Sequence, residues 1–135
     1  MATDVSLALR PQGLQDSAQR YVRGLLASTS GYEAQQQQQA SSGAPVQGSQ
    51  GLEVLEPGMR FSSQCEHHVL PFYGQVHVAY ALDQPGRALG RGEMEALVRR
   101  FSRRLQIQER FTHQMAEAVG EATGAIGTLV VCDAR

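Results

Sequence analysis

Cys65-Glu66-His67-His68 places a thiol, a carboxyl and two imidazoles in four consecutive residues, directly after a strand-like segment and before Pro71. Thiolate sulfur and imidazole nitrogen are preferred zinc donors, and a catalytic zinc site uses three protein ligands while leaving a fourth position for water. Cys65 and His68, at i and i+3 in a turn, can converge on one ion, which leaves His67 free to act as an acid or base. The same spacing also suits decoration of a surface loop. Moreover, the cluster supplies two ligands where three are needed, so a third has to come from elsewhere. The other cysteine, Cys132, stands alone on a β-branched run. In a reducing compartment, two cysteines in such unlike contexts read as a buried thiol and a ligand rather than as a disulfide.

The elements that hold this cluster can be read from periodicity. Leu14, Ala18, Tyr21, Val22, Leu25 and Leu26 recur at helical spacing behind Asp16 and Ser17, which favour an N-cap, so a first helix is expected over 17–27, with an apolar stripe that must dock on something. A Gln-rich run from Gln35 to Gln39, followed by Ala, Ser, Gly and Pro to Gly51, cannot bury enough surface to order itself and reads as a flexible insert. Strand-like runs follow at 60–63 and 75–82; in the second, Val76, Val78, Tyr80 and Leu82 form the face to be buried. A loop over 83–92 leads to an amphipathic helix marked by Met94, Leu97, Val98, Phe101 and Leu105. A second stripe, Phe111, Met115, Ala118, Val119 and Ala122, ends near Gly124, and 126–132 suits a buried strand. Strands, two helices and a strand imply an α+β domain with both helices on one sheet face. The expected divisions are a helical segment at 1–34, the insert at 35–51 and the chemical domain at 52–135.

Composition narrows the classes of function. The 135 residues are 19% charged and 41% apolar with a net charge of -1, the balance of a small globular domain. It lacks the basic surplus of a nucleic-acid or membrane-surface binder. No apolar run approaches the roughly 20 residues of a membrane-spanning helix, and residues 1–10 lack the layout of a secretory signal, so the expectation is a cytoplasmic protein with a small-molecule or protein partner.

Residues 63–80 read Ser-Gln-Cys-Glu-His-His-Val-Leu-Pro-Phe-Tyr-Gly-Gln-Val-His-Val-Ala-Tyr, and this stretch resembles the signature of GTP cyclohydrolase I in its Cys-Glu-His-His core, its Pro-Phe-x-Gly and its Val-His-x-x-Tyr. Residues 102–112, Ser-Arg-Arg-Leu-Gln-Ile-Gln-Glu-Arg-Phe-Thr, resemble the second signature of the same family at the expected distance downstream. The resemblance covers about 52–135 and is weak over the first helix, where Arg20 is similar to a family arginine. It implies a tunnelling fold, an antiparallel sheet with two helices on one face that joins neighbours into a ring, with active sites between subunits. It implies Zn2+ on Cys65 and His68, and His67 as the general acid-base residue. Substrate contacts would come from Glu109, which reads guanine, from Gln108 beside it, and from Glu66 as an orienting group. The implied reaction is hydrolytic opening of the imidazole ring of GTP to dihydroneopterin triphosphate and formate, the first step toward folates and pterins. His77, on a strand, and His113, on a helix, read as structural.

Two departures stand out. In the family, a His-x-Cys carrying the third zinc ligand follows the last strand, and this sequence reaches Arg135 where that histidine is expected, so the expectation is a truncated chain, inactive alone, with its C-terminal strands missing. Cys132 lies roughly six residues, about 20 Å of extended chain, too early to replace that ligand. In Gly90-Arg91-Gly92-Glu93-Met94-Glu95-Ala96, Glu93 stands where the family carries a triphosphate-binding lysine, and a carboxylate beside phosphates repels them. The same loss resembles the C-terminal half of tandem-domain plant and algal enzymes, which implies a companion domain. The alternative expectation is a catalytically inactive partner domain that supports assembly of the complete enzyme.

Overall fold

A computed structural model describes residues 14–32, 52–83 and 87–135; the Gln-rich insert, and with it the expected boundaries around 35–51, lie outside the described residues. Four strands and three α-helices follow the chain order α1 (Ser17–Ser28), β1 (Leu52–Cys65), β2 (Pro71–Leu82), α2 (Arg91–Ser102), β3 (Leu105–Gln106), α3 (Gln108–Thr123), β4 (Gly127–Ala134). The sheet order is β3-β1-β2-β4, antiparallel at β1–β2 and β2–β4 and parallel at β1–β3. The sheet is therefore mixed, where the resemblance implied an antiparallel one.

The alternation in β2 sets the core. Val76 and Val78 are fully buried, with Tyr80 and Leu82 beside them, and Met59 and Phe61 of β1 join the same layer. Met94, Val98 and Phe101 of α2 and Phe111, Met115 and Val119 of α3 close over that face. Phe61 stacks on Phe111 at 4.7 Å and meets Phe72 edge-on at 5.9 Å. Each such side chain contributes about 1.5–3 kcal/mol on burial. Tyr80, buried at its ring, accepts the Leu89 N–H at its hydroxyl at 2.9 Å, which fixes the loop into α2.

Three sequence expectations need correction. β1 runs far longer than 60–63, because a register shift between Glu56 and Met59 lets pairing with β2 continue past Pro57-Gly58, residues that break a period-two reading. Leu105 does not continue the α2 stripe: the helix stops at Ser102, and Leu105 pairs with Gln64 in β3. The 126–132 run is not a buried strand. β4 pairs with β2 on one side only, and Leu129 and Val131 are exposed, because the helices cover one sheet face and leave the other open.

α1 spans the expected residues, but Asp16 has φ 66 and makes no side-chain cap. Its stripe contributes nothing buried; Tyr21 is 59% and Leu26 66% exposed. What fastens it is its C-terminal end. The Gly31 N–H donates to Arg103 O at 2.7 Å, and a Cβ at Gly31 would lie 2.2 Å from Arg100 O, a contact that only glycine avoids. Among the described residues, no helix is long and apolar enough to cross a membrane.

Candidate active site

β1 ends at Cys65, and a tight turn over Glu66, His67 and His68 reverses the chain into β2. The Val69 N–H donates to Cys65 O and the Cys65 N–H to Leu70 O, each at 2.8 Å. Val69 sits at φ 54, a left-handed conformation that costs a β-branched residue energy and that the surrounding bonds enforce. The turn brings Cys65 Sγ within 3.6 Å of His68 Nδ1. Donors at about 2.3 Å (sulfur) and about 2.0 Å (nitrogen) from one tetrahedral ion stand roughly 3.5 Å apart, so this pair fits a shared zinc. Hydrogen bonds from the backbone of His68, then of His67, lower the Cys65 thiol below its ordinary value near 9 and favour the thiolate that a metal needs. Among the described residues, no group of three His, Cys, Asp or Glu side chains could hold a metal ion, so a zinc on Cys65 and His68 would need a third protein ligand from outside them.

The neighbouring side chains take separate tasks. Glu66 receives a bidentate pair from Arg110 at 2.5 and 2.9 Å, and that guanidinium holds its carboxyl below the usual carboxylate range. The pair ties the turn to the first turn of α3. His67 Nε2 lies 3.7 Å from Glu66 Oε1, and its side chain is 64% exposed. Parallel pairing of Gln64–Cys65 with Leu105–Gln106, and the Glu66 N–H donated to Gln106 O at 3.0 Å, set β3 directly against the cluster. One residue later, α3 begins with Gln108 and Glu109.

An open cavity of about 550 Å³ results, lined by Cys65, His67, Phe72, Gln106, Glu109 and Arg135 among others. Three of the residues singled out from sequence, Cys65, His67 and Glu109, thus face one space, as does Gln108, whose side-chain amide donates to Cys132 O at 2.7 Å. His68 and Glu66 do not line it. The far wall depends on Gly74: a Cβ there would meet Asp133 O at 1.9 Å, so the glycine of Pro-Phe-x-Gly is what lets β4 pair closely enough to bring Ala134 and Arg135 to the cavity.

Cys132 packs against the core, and burial, with a smaller effect of Asp133, pushes its thiol up to about 11. That is an inert core thiol, separate from the cluster. His77 accepts the Gly58 N–H at 3.1 Å and pins the β1 register shift, while His113 pairs with Glu117 at 3.2 Å along α3. Glu93 accepts the Gly90 N–H at 2.9 Å as the N3 member of a capping box and is ion-paired with Arg87.

The sequence reading missed Arg110, Gln106 and Arg104. Gln106 is 1% exposed; it donates to Phe101 O and Gln114 Oε1, while its own Oε1 has no partner among the described residues. Alternation of polar and apolar residues through Arg104-Leu105-Gln106-Ile107 was the available signal of a short strand with its polar side turned inward.

The family model for GTP cyclohydrolase I matches residues 3–135. The chain is 42% identical over 124 residues to GTP cyclohydrolase 1 of Campylobacter lari, covering 92% of this chain and 64% of that protein. It is 38% identical to GTP cyclohydrolase 1 of Pseudoalteromonas translucida, with 92% and 66% covered, and 46% identical over 81 residues to that of Hyperthermus butylicus, with 60% and 41% covered. The chain therefore spans a little under two thirds of the length of the first two of these relatives. With the α+β architecture and both signatures meeting at one cavity, these matches establish that the chain belongs to the GTP cyclohydrolase I family.

Proposed function

We propose that this chain supplies the metal-binding and guanine-reading half of a GTP cyclohydrolase I site, which opens the imidazole ring of GTP to give formate and dihydroneopterin triphosphate. The observation that carries the reading is the 3.6 Å pair of Cys65 and His68, with Cys65 lining the same cavity as Glu109. When bound, zinc supplies the Lewis acidity that brings the pKa of a water toward neutrality. The Glu109 carboxylate accepts two hydrogen bonds, from the guanine N1–H and exocyclic amine, and a site with that acceptor rejects purines lacking both donors. Gln108 flanks the base. His67, exposed at the cavity, takes and returns protons as the bonds to C8 open. Glu66, held by Arg110, orients the turn that carries all three ligating and proton-moving side chains. The remaining parts of the reading are a cytoplasmic homo-oligomer with active sites between subunits and a product that enters folate or pterin synthesis.

Glu93 favours a second reading. Its carboxylate, standing where the family uses a lysine, is committed to Gly90 and Arg87, and the neighbouring cation of the first turn, Arg91, is paired with Glu56 and Glu95. In that reading the chain is a partner domain, and phosphate contacts come from a companion domain.

A chimera that continues past Arg135 with the corresponding segment of the Campylobacter lari relative distinguishes them. Formate release from GTP, lost on Cys65→Ala or His67→Ala, is the expected result. Zinc uptake without formate release would support the partner domain, and release that survives alanine at both 65 and 68 would overturn the metal assignment.

A further inference from the structure

The short strand β3 is a splint shared by both halves of the site. On one side it pairs with Gln64 and Cys65 and accepts the Glu66 N–H; on the other it leads through Ile107 into Gln108 and Glu109. Two residues long, it is too short to hold itself, and beyond its pairing with β1 it is restrained by bonds from a distant part of the chain. The Tyr32 hydroxyl accepts the Leu105 N–H at 3.2 Å and donates to Leu105 O at 3.4 Å. Arg104, 5% exposed, donates through Nε and Nη2 to Gly31 O, both at 3.3 Å, and lies over the rings of Tyr32 at 5.4 Å and Phe101 at 5.0 Å. No carboxylate pairs with Arg104 among the described residues, so these carbonyl and ring contacts are what compensate its buried charge. Ser63 adds a bond from its hydroxyl to Arg104 O at 3.2 Å, joining the same knot to β1 two residues before Cys65.

We propose that Tyr32 and Arg104 are positioning residues for the Cys65–Glu109 site: the turn after α1 clamps β3, and β3 sets the spacing between the metal pair and the base-reading carboxylate. The proposal rests on the functional reading above only where it concerns the metal. It also gives α1 a purpose that its exposed stripe does not, since the helix ends in the clamp, where the Arg103 Nη2 donates to Ala27 O at 2.7 Å.

Tyr32→Phe tests it in the full chain, because the ring over Arg104 stays while the hydroxyl leaves. Amide hydrogen exchange at Glu66 should quicken about fivefold, the scale of one lost hydrogen bond passed through β3, while exchange at Val78 in the core stays unchanged. Affinity for Co2+, read from its thiolate absorption band, should fall by a similar factor. Faster exchange confined to Leu105, with Glu66 and Co2+ affinity unaltered, would overturn the proposal. If the unsubstituted chain takes up no Co2+ through Cys65, the metal reading fails, and exchange at Glu66 still decides whether the clamp acts on the cluster.

Discussion

Glu93 and Glu109 are the same residue type in the first turn of two successive helices, yet they are committed to different things. Glu93 is the third helical residue of α2, the position from which its carboxylate reaches back to the Gly90 N–H, and with Arg87 it is consumed in starting the helix. Glu109 is the second helical residue of α3, one position earlier than Glu93 is in α2, so it is not placed to close a capping box onto Ile107. Its carboxylate has no hydrogen bond or ion pair among the described residues and lines the cavity beside Cys65. A helix N-terminus favours an acid in both places. Its position within the first turn decides whether that acid serves the fold or remains available to a ligand. The repulsion expected from Glu93 is accordingly muted by Arg87; what α2 lacks is a lysine in its place.

Exchanging the two roles breaks the comparison in measurable ways. The largest effect is expected at Glu109: in the chimera with the Campylobacter lari segment, Glu109→Ala should lower kcat/KM for formate release from GTP about 100-fold, with little change in Tm, because unpaired guanine donors are costly to bury. Glu93→Ala should do the reverse, removing about 1–2 kcal/mol of stability in a thermal melt through loss of the capping box and its ion pair. An Arg110→Met variant gives the smallest and most pH-dependent effect. Arg110 depresses the Glu66 carboxyl below its ordinary 4.5, so its contribution is present above that value and is lost as pH falls through the depressed one. The Tm gap between parent and variant should therefore be open near neutrality and close as pH falls below 4.5.

Those two glutamates also show what the sequence could carry. Glu109 was legible because its neighbours form a contiguous signature, and the core stripes of β2, α2 and α3 were legible because one buried face leaves a period. Glu93 could be seen as an oddity, but its use in a cap depends on a loop conformation that no periodicity encodes. The extent of β1 was hidden by Pro57-Gly58, the exposure of β4 by its run of Thr128, Leu129, Val130 and Val131, and β3 by having only the brief polar–apolar alternation around Leu105 and Gln106 to mark it. Arg110 and Tyr32 were invisible for another reason: their partners, Glu66 and Leu105, are 44 and 73 residues away, and only folding brings them together.

The central claim is that Cys65 and His68 grip one metal ion. Titrating the chain with Co2+ while recording thiolate-to-metal absorption tests it directly. At saturating Co2+ a thiolate band should develop, held weakly by two protein ligands, that Cys65→Ala removes, that His68→Ala weakens at least tenfold in affinity, and that Cys132→Ala leaves unchanged. A band that persists without Cys65, or that disappears with Cys132, would contradict the assignment.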